Sequence, residues 1–387
     1  MRRVTRVILY GAALAGAAYS VYVLQKLLAK RRRKQGEETR RRVLHLPEPE
    51  IDAALLKYRE DLAKRGIGVS DFDIKETLGI GKYARVRLAL KTSEPLPREP
   101  LALKIMKKDV IVRLKQEEKV RSERRILQRI QHPFVVFTFA SFQTATRLYL
   151  VNEFYPGGEL FSHLRREGRF PLPKARFYAA ELACVLQYLH ARHILCREIK
   201  PENFVLDAEG HLRLVDFGFC KELAGADART YTTCGTPEYI APEIILNKGH
   251  GLSCDWWSFA IFVSEMIHGH PPFCDANPKG IYQKILANQP TFSDKLCNAT
   301  VKDLLQRSLV ADPAARLGTT DVLVHEFFAE IDWAVAVRRG LAPPLRPALS
   351  GPCDTHLFAT YEESVELEEP KQFALFLRTG RDVFAEW

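Results

Sequence analysis

The chain has 387 residues, of which 47% are hydrophobic, so it is long and apolar enough to fold into one large or two ordinary domains and is not intrinsically disordered. Its formal net charge is +10, and the first 42 residues, with 12 Lys/Arg and two acids, account for all of it. The rest carries no net charge, which excludes a nucleic-acid-binding surface spread over the folded body.

An uncharged run, Val7 to Gln25, lies inside this basic leader. As a helix it would span about 28 Å, close to the ~30 Å hydrocarbon core of a bilayer. The larger basic cluster, Lys30 to Lys34, lies on its C-terminal flank. We therefore predict a single-pass membrane protein anchored through residues 7–25, with the main domain facing the cytosol from the mitochondrial outer membrane or the endoplasmic reticulum. A cleaved targeting peptide and a soluble helix are the alternatives.

A helix is predicted next, over Pro47 to Lys64, because prolines and acids suit a helix start. Its apolar residues recur at helical spacing and form one stripe: Ile51, Leu55, Tyr58 and Leu62. We expect this stripe to dock on the main domain.

The body from Phe72 onward changes from β-like to helical patterns. Strands are predicted at Arg85–Leu90, Leu101–Met106, Phe137–Phe142 and Leu148–Phe154. Helices are predicted at Lys115–Arg129, Pro173–His190, Trp256–His268 and Val301–Leu309. This order indicates an α+β fold with two lobes and a cleft between them. The eight cysteines form no C-x-x-C pair, so neither a zinc site nor a thioredoxin-like motif is indicated, and they fit a reducing compartment.

Two features of the β-rich part suit phosphate binding. Gly79 and Gly81 lie between two strand candidates, where backbone N–H groups can cover phosphates, although a β-hairpin turn explains them equally well. Lys104 lies within an apolar strand and needs an anionic partner. Glu123, on the charged helix, is the candidate, and Lys104 itself could hold phosphate oxygens.

The most specific signal follows a helix in the second part of the body. The run Cys196 to Asn203 precedes Asp216-Phe-Gly218, and Ala241-Pro-Glu243 closes the set. Asn203 and Asp216 supply oxygen ligands that suit Mg²⁺ bridging nucleotide phosphates. Lys200 could offset charge on a transferred phosphoryl group.

This ordered set resembles the eukaryotic protein kinase family over residues 72–328. Further stretches resemble the AGC group, and most closely the catalytic subunits of cAMP-dependent protein kinase: residues 156–163, 234–239, 255–257, 271–273 and the C-terminal 384–387. The resemblance implies a two-lobed kinase fold. It gives four regions: a leader with the anchor at 1–42, an amphipathic helix and linker at 43–71, the kinase domain at 72–328 and an AGC-type tail at 329–387.

The resemblance also implies roles for single residues, with ATP and Mg²⁺ as cofactors. Lys104, braced by Glu123, would hold the α- and β-phosphates, Lys200 would lie near the γ-phosphate, and Asn203 and Asp216 would bind Mg²⁺. The residues around the rest of the nucleotide would be Gly79, Gly81, Val86, Ala102, Asn152, Glu153, Tyr155 and Val205. Plain core packing is the alternative for Val86, Ala102 and Val205. Asn152 falls at the gatekeeper position, where a polar residue is unusual.

Regulation and substrate choice are implied in the same way. Thr232 matches the activation-loop phosphosite, with an unmodified hydroxyl as the alternative, and Arg197, Lys221 and Lys119 are placed by analogy to bind the phosphate. Three acids match positions that bind substrate arginines, although each alone would be a solvated charge: Glu159, Glu202 and Glu265. Protein or peptide substrates with upstream arginines are therefore the expected partners. A regulatory subunit remains open, because Tyr231 stands where the cAMP-dependent enzyme has a tryptophan that contacts such a subunit.

The largest departure from the family is Glu198, which occupies the place of the catalytic aspartate. The extra methylene displaces the carboxylate by about 1 Å, enough to cost on the order of 10²-fold in rate. Phosphoryl transfer depends mainly on positioning and charge, however, and the other groups are present. We therefore expect a serine/threonine kinase with impaired or altered catalysis. The alternative is a membrane-anchored pseudokinase that acts as a nucleotide-binding scaffold.

Overall fold

The computed structural model describes residues 46–92, 99–363 and 383–387, and residues Pro47–Trp387 form one compact unit. Within it the chain folds into two lobes, a small lobe built on a β-sheet and a large helical lobe, as expected. The predicted membrane-spanning segment, residues 7–25, lies outside the described residues.

The described part of the chain contains no helix long and apolar enough to cross a membrane. This finding contradicts the predicted localisation, which placed a single-pass protein in the mitochondrial outer membrane or the endoplasmic reticulum with its main domain facing the cytosol. That prediction is corrected. It relied on the length of an uncharged run that is rich in alanine and glycine and only moderately hydrophobic.

The small lobe is a five-stranded antiparallel sheet in the order β1-β2-β3-β5-β4. The strands are β1 (Phe72–Ile80), β2 (Ala84–Lys91), β3 (Pro100–Lys107), β4 (Thr138–Gln143) and β5 (Arg147–Glu153). The small lobe also contains helices α1 (Ala53–Arg65), α2 (Lys108–Arg113) and α3 (Glu117–Arg129). The strand predictions are confirmed to within two residues. The short helix α2 was missed because it is too short to show a helical period.

Helix α1 covers one face of this sheet. It begins at Ala53 and not at Pro47, because the Asp52 side chain caps it by accepting the Ala54 N–H at 2.8 Å. Its apolar stripe packs into the core formed by Phe72, Phe139, Phe142 and Tyr149, together with neighbouring aliphatic residues. The Tyr58 ring meets Phe139 edge-on with 5.0 Å between centroids. The expected docking of the stripe therefore occurs on the small lobe.

The large lobe is built around two helices that are buried on nearly every side, α5 (Leu172–His190) and α7 (Ser253–His268). The other helices of this lobe are α4 (Leu160–Glu167), α6 (Pro242–Ile245), α8 (Pro278–Leu286), α9 (Ala299–Ser308), α10 (Thr319–Leu323) and α11 (Trp333–Val337). Two small antiparallel pairs lie between the lobes: β6 (Ile194–Leu195) with β9 (Lys221–Glu222), and β7 (Phe204–Leu206) with β8 (Leu212–Leu214). Their two- and three-residue strands are too short for a sequence pattern.

The connection between the lobes passes Gly157, where the chain approaches β7 closely. A Cβ atom at this position would lie 2.5 Å from the Leu206 carbonyl oxygen, so only glycine fits without a backbone shift. The Gly157 N–H donates to that same oxygen at 2.9 Å. The contact fixes where the large lobe begins relative to the cleft.

The C-terminal residues return to the small lobe. Phe384 is 2% exposed, and its carbonyl accepts a hydrogen bond from the Gln143 side chain at 2.9 Å. Arg121 and Arg124 of α3 donate to the Val383 and Glu386 carbonyls at 2.8 and 2.7 Å. The end of the chain is thereby attached to α3.

Replacing Leu62 with alanine tests the docking of α1. Leu62 is 1% exposed, so the truncation leaves a cavity and should lower the free energy of unfolding by about 2–5 kcal/mol, measured by urea denaturation. Lys64→Ala, on the exposed face of the same helix, should change it by less than about 0.5 kcal/mol. Equal effects of the two substitutions would contradict the docking.

Candidate active site

A cavity of about 490 Å³ lies between the lobes. All eleven residues predicted to bind the nucleotide or the metal line it, namely Gly79, Gly81, Val86, Ala102, Lys104, Asn152, Glu153, Tyr155, Asn203, Val205 and Asp216. Glu159 and Glu202 line it as well. Strands of the small lobe supply its upper wall, and the loops around β7 and β8 supply the lower one.

An ion-pair cluster closes one end of the cavity. Lys104 Nζ lies 2.5 Å from Glu123 Oε1 and 3.6 Å from Asp216 Oδ1. Burial alone would lower the Lys104 pKa, but the charges of Glu123 and Asp216 outweigh burial and raise it. Lys104 therefore stays cationic at the junction of small-lobe and large-lobe carboxylates.

The pKa values of the two carboxylates in this cluster shift in opposite directions. Burial raises the pKa of Glu123, whose Oε2 is buried without a hydrogen-bond partner among the described residues. Burial also opposes ionisation of Asp216, but Lys104 and the Gly218 N–H, which donates at 2.9 Å, lower its pKa below the ordinary value. Asp216 is thus held as an anion that faces the cavity.

Hard-metal chemistry fits the residues beside it. The amide nitrogen of Asn203 donates to the Glu198 carbonyl at 2.8 Å, which leaves the side-chain oxygen, the atom that a metal requires, out of that bond. Asn203 and Asp216 both line the cavity. One amide oxygen and one ionised carboxylate are a donor set suited to Mg²⁺.

A buried carboxylate of the large lobe anchors the loop that carries Glu198. Asp255 is 0% exposed and accepts hydrogen bonds from the backbone N–H groups of Cys196 and Arg197 at 2.9 and 2.8 Å. Its carboxylate is also hydrogen-bonded to the His190 ring at 2.8 Å. Arg197 adopts φ = 68°, a left-handed conformation that costs energy in a non-glycine residue. The buried carboxylate stabilises this turn.

The Glu198 side chain belongs to a polar network at the edge of the cleft. Its Oε1 lies 3.2 Å from Lys200 Nζ and accepts from Thr236 Oγ1 at 3.4 Å. Lys200 Nζ also donates to Thr236 Oγ1 at 3.0 Å. Sequence reasoning selected Glu198 and Lys200 but missed Thr236, although its Gly-Thr-Pro-Glu motif had been noted.

The back of the cavity explains the polar residue Asn152. Asn152 lies on β5 opposite Thr138 of β4, and its Oδ1 accepts the Thr138 hydroxyl at 2.8 Å. Both side chains are buried, at 7% and 4% exposure. A matching hydroxyl therefore satisfies the amide, and this partner was not foreseen from sequence.

The connecting segment between the lobes is also held by polar contacts. The Tyr155 hydroxyl donates to Glu153 Oε2 at 2.9 Å and accepts the Phe137 N–H at 3.1 Å. Burial raises the pKa of Glu153. Phe358, from the C-terminal region, adds an aromatic wall beside Phe154.

The three predicted arginine-binding acids do not have equal surroundings. Glu159 and Glu202 face the cavity, and Glu202 Oε2 is buried without a partner among the described residues. Burial, and secondarily the Glu202 charge, raise the pKa of Glu159. Glu265 is 2% exposed and already bound by Arg165 at 2.8 Å and by the Tyr239 hydroxyl.

Thr232 is exposed, and the cations assigned to it lie in other contacts. Lys221 Nζ donates to Thr230 at 2.9 Å, and Arg197 Nε donates to the Phe219 carbonyl at 2.7 Å. Arg197 Nη1 is buried without a partner among the described residues. Lys119 lies over the Phe219 ring, 3.2 Å from its centroid, and lines the cavity.

Comparison with known proteins identifies the family. The protein kinase domain family matches residues 72–328. The chain belongs to the protein kinase family. Residues of this kinase are 44% identical over 301 positions to the human cAMP-dependent protein kinase catalytic subunit PRKX, covering 76% of this chain and 82% of that one. The mouse PRKX protein is 45% identical over 317 positions, covering 81% and 87%. Yeast cAMP-dependent protein kinase type 3 is 39% identical over 319 positions, covering 81% and 78%.

This kinase is a serine/threonine protein kinase of the AGC type, and kinases of this type use ATP with Mg²⁺. The donor set of Asn203 and Asp216 and the ion pair of Lys104 agree with these cofactors in charge and in ligand type.

Replacing Thr138 tests the pairing at the back of the cavity. Thr138→Val removes the donor and leaves a buried amide oxygen unsatisfied, which should lower the free energy of unfolding by about 1–3 kcal/mol in urea denaturation. Thr138→Ser keeps the hydroxyl and should retain most of the stability. An unchanged stability of the valine variant would show that Asn152 does not depend on Thr138.

Proposed function

We propose that this kinase transfers the γ-phosphate of ATP to serine or threonine in arginine-containing sequences, with Glu198 in the role of the catalytic aspartate. The observation that carries the proposal is the network of Glu198, Lys200 and Thr236, with 3.2 Å from Glu198 Oε1 to Lys200 Nζ. It holds the longer side chain in a defined position beside a cation. The substitution therefore keeps a carboxylate at the reaction site.

In this proposal, different residues of the cavity bind different parts of the nucleotide. Gly79 and Gly81 cover the phosphates, and Lys104, positioned by Glu123, holds the α- and β-phosphates. Val86, Ala102 and Val205 contact adenine, Asn152 lies at the back of the cavity, and Glu153 and Tyr155 lie at the connecting segment. Asn203 and Asp216 would hold Mg²⁺, which would neutralise charge on the phosphate groups.

Glu198 accepts a hydrogen bond from the substrate hydroxyl and orients its oxygen for transfer. Lys200 stabilises negative charge near the transferred group and restrains the Glu198 carboxylate. Because the transition state is loose, orientation and charge matter more than proton removal, and the extra methylene is tolerated.

Three mutants test catalysis, with phosphate transfer to an Arg-Arg-x-Ser peptide as the measurement. The wild type should exceed an Asp216→Ala blank, and Glu198→Gln should lower kcat by about 10²- to 10⁴-fold because the amide loses the negative charge and the capacity to take a proton, although it keeps an oxygen acceptor. Glu60→Gln, at an exposed position of α1, should leave kcat unchanged.

The opposite outcome favours a pseudokinase that binds nucleotide as a scaffold. Wild-type transfer no higher than the blank, with a large gain for Glu198→Asp, would refute catalysis by the native chain. Binding of ATP and Mg²⁺ by that inactive protein would then support the scaffold.

The preference for arginine follows from Glu159 and Glu202. Both acids face the cavity, and the unpartnered Oε2 of Glu202 can accept a guanidinium in the fork geometry that arginine provides. Arg165 and Tyr239 occupy the Glu265 carboxylate, so Glu265 supports this surface indirectly, through those two residues.

Substitution of the two acids tests the preference. Glu159→Ala and Glu202→Ala should each lower kcat/KM for an arginine-containing peptide by roughly 10- to 100-fold, which corresponds to the free energy of one hydrogen bond to a charged group. The kcat/KM for a peptide without arginine should not change. Because the Glu159 pKa is raised, its carboxylate takes up a proton at higher pH than an ordinary glutamate. Peptide KM in the wild type should therefore increase on acidification before kcat falls. Equal losses for both peptides would contradict the assignment.

Regulation is proposed to use Thr232 as the phosphorylated residue, since it is exposed and Arg197, whose backbone closely approaches Gly235, retains a buried donor without a partner among the described residues. A regulatory subunit is a further proposed partner, and Tyr231, at 63% exposure, offers an aromatic contact for it. We retain the division into a kinase domain at 72–328 and a tail at 329–387 as part of the proposal.

A further inference from the structure

Helix α3 contacts the segment that follows Asp216 at two points. Near the start of the helix, Lys119 Nζ lies 3.2 Å from the centroid of the Phe219 ring. Near its end, Arg125 Nε and Arg129 Nη1 lie 3.3 and 2.5 Å from the two carboxylate oxygens of Glu222. Phe219 and Glu222 are separated by only two residues, so the helix holds this segment from both sides.

These contacts join parts of the site that belong to different lobes. Helix α3 carries Glu123, whereas Glu222 lies in β9, whose partner strand β6 leads into the Glu198 loop. Lys104 bridges the same gap, 2.5 Å from Glu123 and 3.6 Å from Asp216. The position of Glu222 therefore bears on whether Glu123 and Asp216 stay on the two sides of Lys104.

We propose that Glu222 is a positioning residue, which binds Arg125 and Arg129 of α3 and keeps Glu123 aligned with Lys104 and Asp216 when Thr232 carries no phosphate. The inference rests on the proposed function for its effect on activity, while its structural part stands independently. Glu222 does not contact the reacting groups.

The solvent exposure of the three side chains limits how strongly Glu222 binds Arg125 and Arg129. The Arg125 and Arg129 side chains are 51% and 67% exposed and Glu222 is 26% exposed, so each pair alone is weak and screened by salt. Both arginines bind one carboxylate, and Arg125 also lies 3.6 Å from Glu118 of its own helix. The network is therefore a weak clamp on α3, and an interaction of this strength can shift an equilibrium between two positions of that helix.

A double-mutant cycle in the full-length chain tests it, with Thr232→Ala as the background so that no phosphate contributes. Glu222→Arg and Arg129→Glu should each lower kcat/KM for Mg-ATP by about 3- to 10-fold, since the energy of a partly exposed network is lost. The combined variant should recover part of the loss, because the opposite charges face each other again. Asp294→Arg is the matched control, an exposed acid of the large lobe paired with Lys302 at 2.5 Å, and should have no effect.

Amide hydrogen exchange of residues 117–129 and 219–222 gives a second readout that needs no activity. The single variants should exchange faster than the background protein in both segments, and the combined variant should return toward it. Unchanged exchange in Glu222→Arg, or strictly additive losses in the cycle, would overturn the inference. The expected exchange behaviour, combined with no transferase activity in the chain that retains Thr232, would support the clamp and refute the proposed function.

Discussion

The buried carboxylate of Asp255 is the constraint on which the reaction loop depends. It lies on helix α7 at the centre of the large lobe and accepts two consecutive backbone N–H groups, those of Cys196 and Arg197. A carboxylate at 0% exposure is stable only when its oxygens are occupied, and here the loop backbone and His190 occupy them. A helix that is buried along almost its whole length thus dictates the path of the loop that presents Glu198 and Asn203.

The small lobe contributes Glu123 through a single helix, α3, attached to a sheet. Lys104 must meet Glu123 from this helix and Asp216 from the other lobe, and it is the only group of the three that belongs to a β-strand. Packing of α1 against the sheet and attachment of the C-terminal residues to α3 both limit how far this helix can move. The electrostatic cluster therefore reports the relative position of the lobes.

Much of this arrangement could be predicted from the sequence because it depends on local patterns. Alternating strands such as Ala84–Lys91 follow side-chain periodicity, and the ordered spacing of Lys104, Asn203 and Asp216 selected three residues that line one cavity. The contacts that tune it were not predictable. Thr236 meets Glu198 across 38 residues, and Thr138 meets Asn152 only through strand pairing. Such partners depend on tertiary contacts, which leave no pattern along the chain.

The same limitation hid the surroundings of several predicted site residues. Glu265 had the residue type of an arginine-binding acid, but its environment, fixed by Arg165 and Tyr239, was visible only in three dimensions. The contacts of Lys119 with Phe219 and of Lys221 with Thr230 were likewise not visible in the sequence, where the resemblance places both cations near Thr232. The membrane prediction was drawn from composition over one short run, and no helix of the described residues is suited to a bilayer.

The buried pair of Thr138 and Asn152 has a consequence for chemical selectivity. Because the threonine hydroxyl occupies the amide oxygen, the amide nitrogen is the group that Asn152 can present to a compound in the cavity. An inhibitor with a hydrogen-bond acceptor directed at the rear wall would gain a bond here that a hydrophobic side chain at this position cannot offer. Small molecules designed on that principle could distinguish this kinase from relatives whose pocket ends in an aliphatic residue.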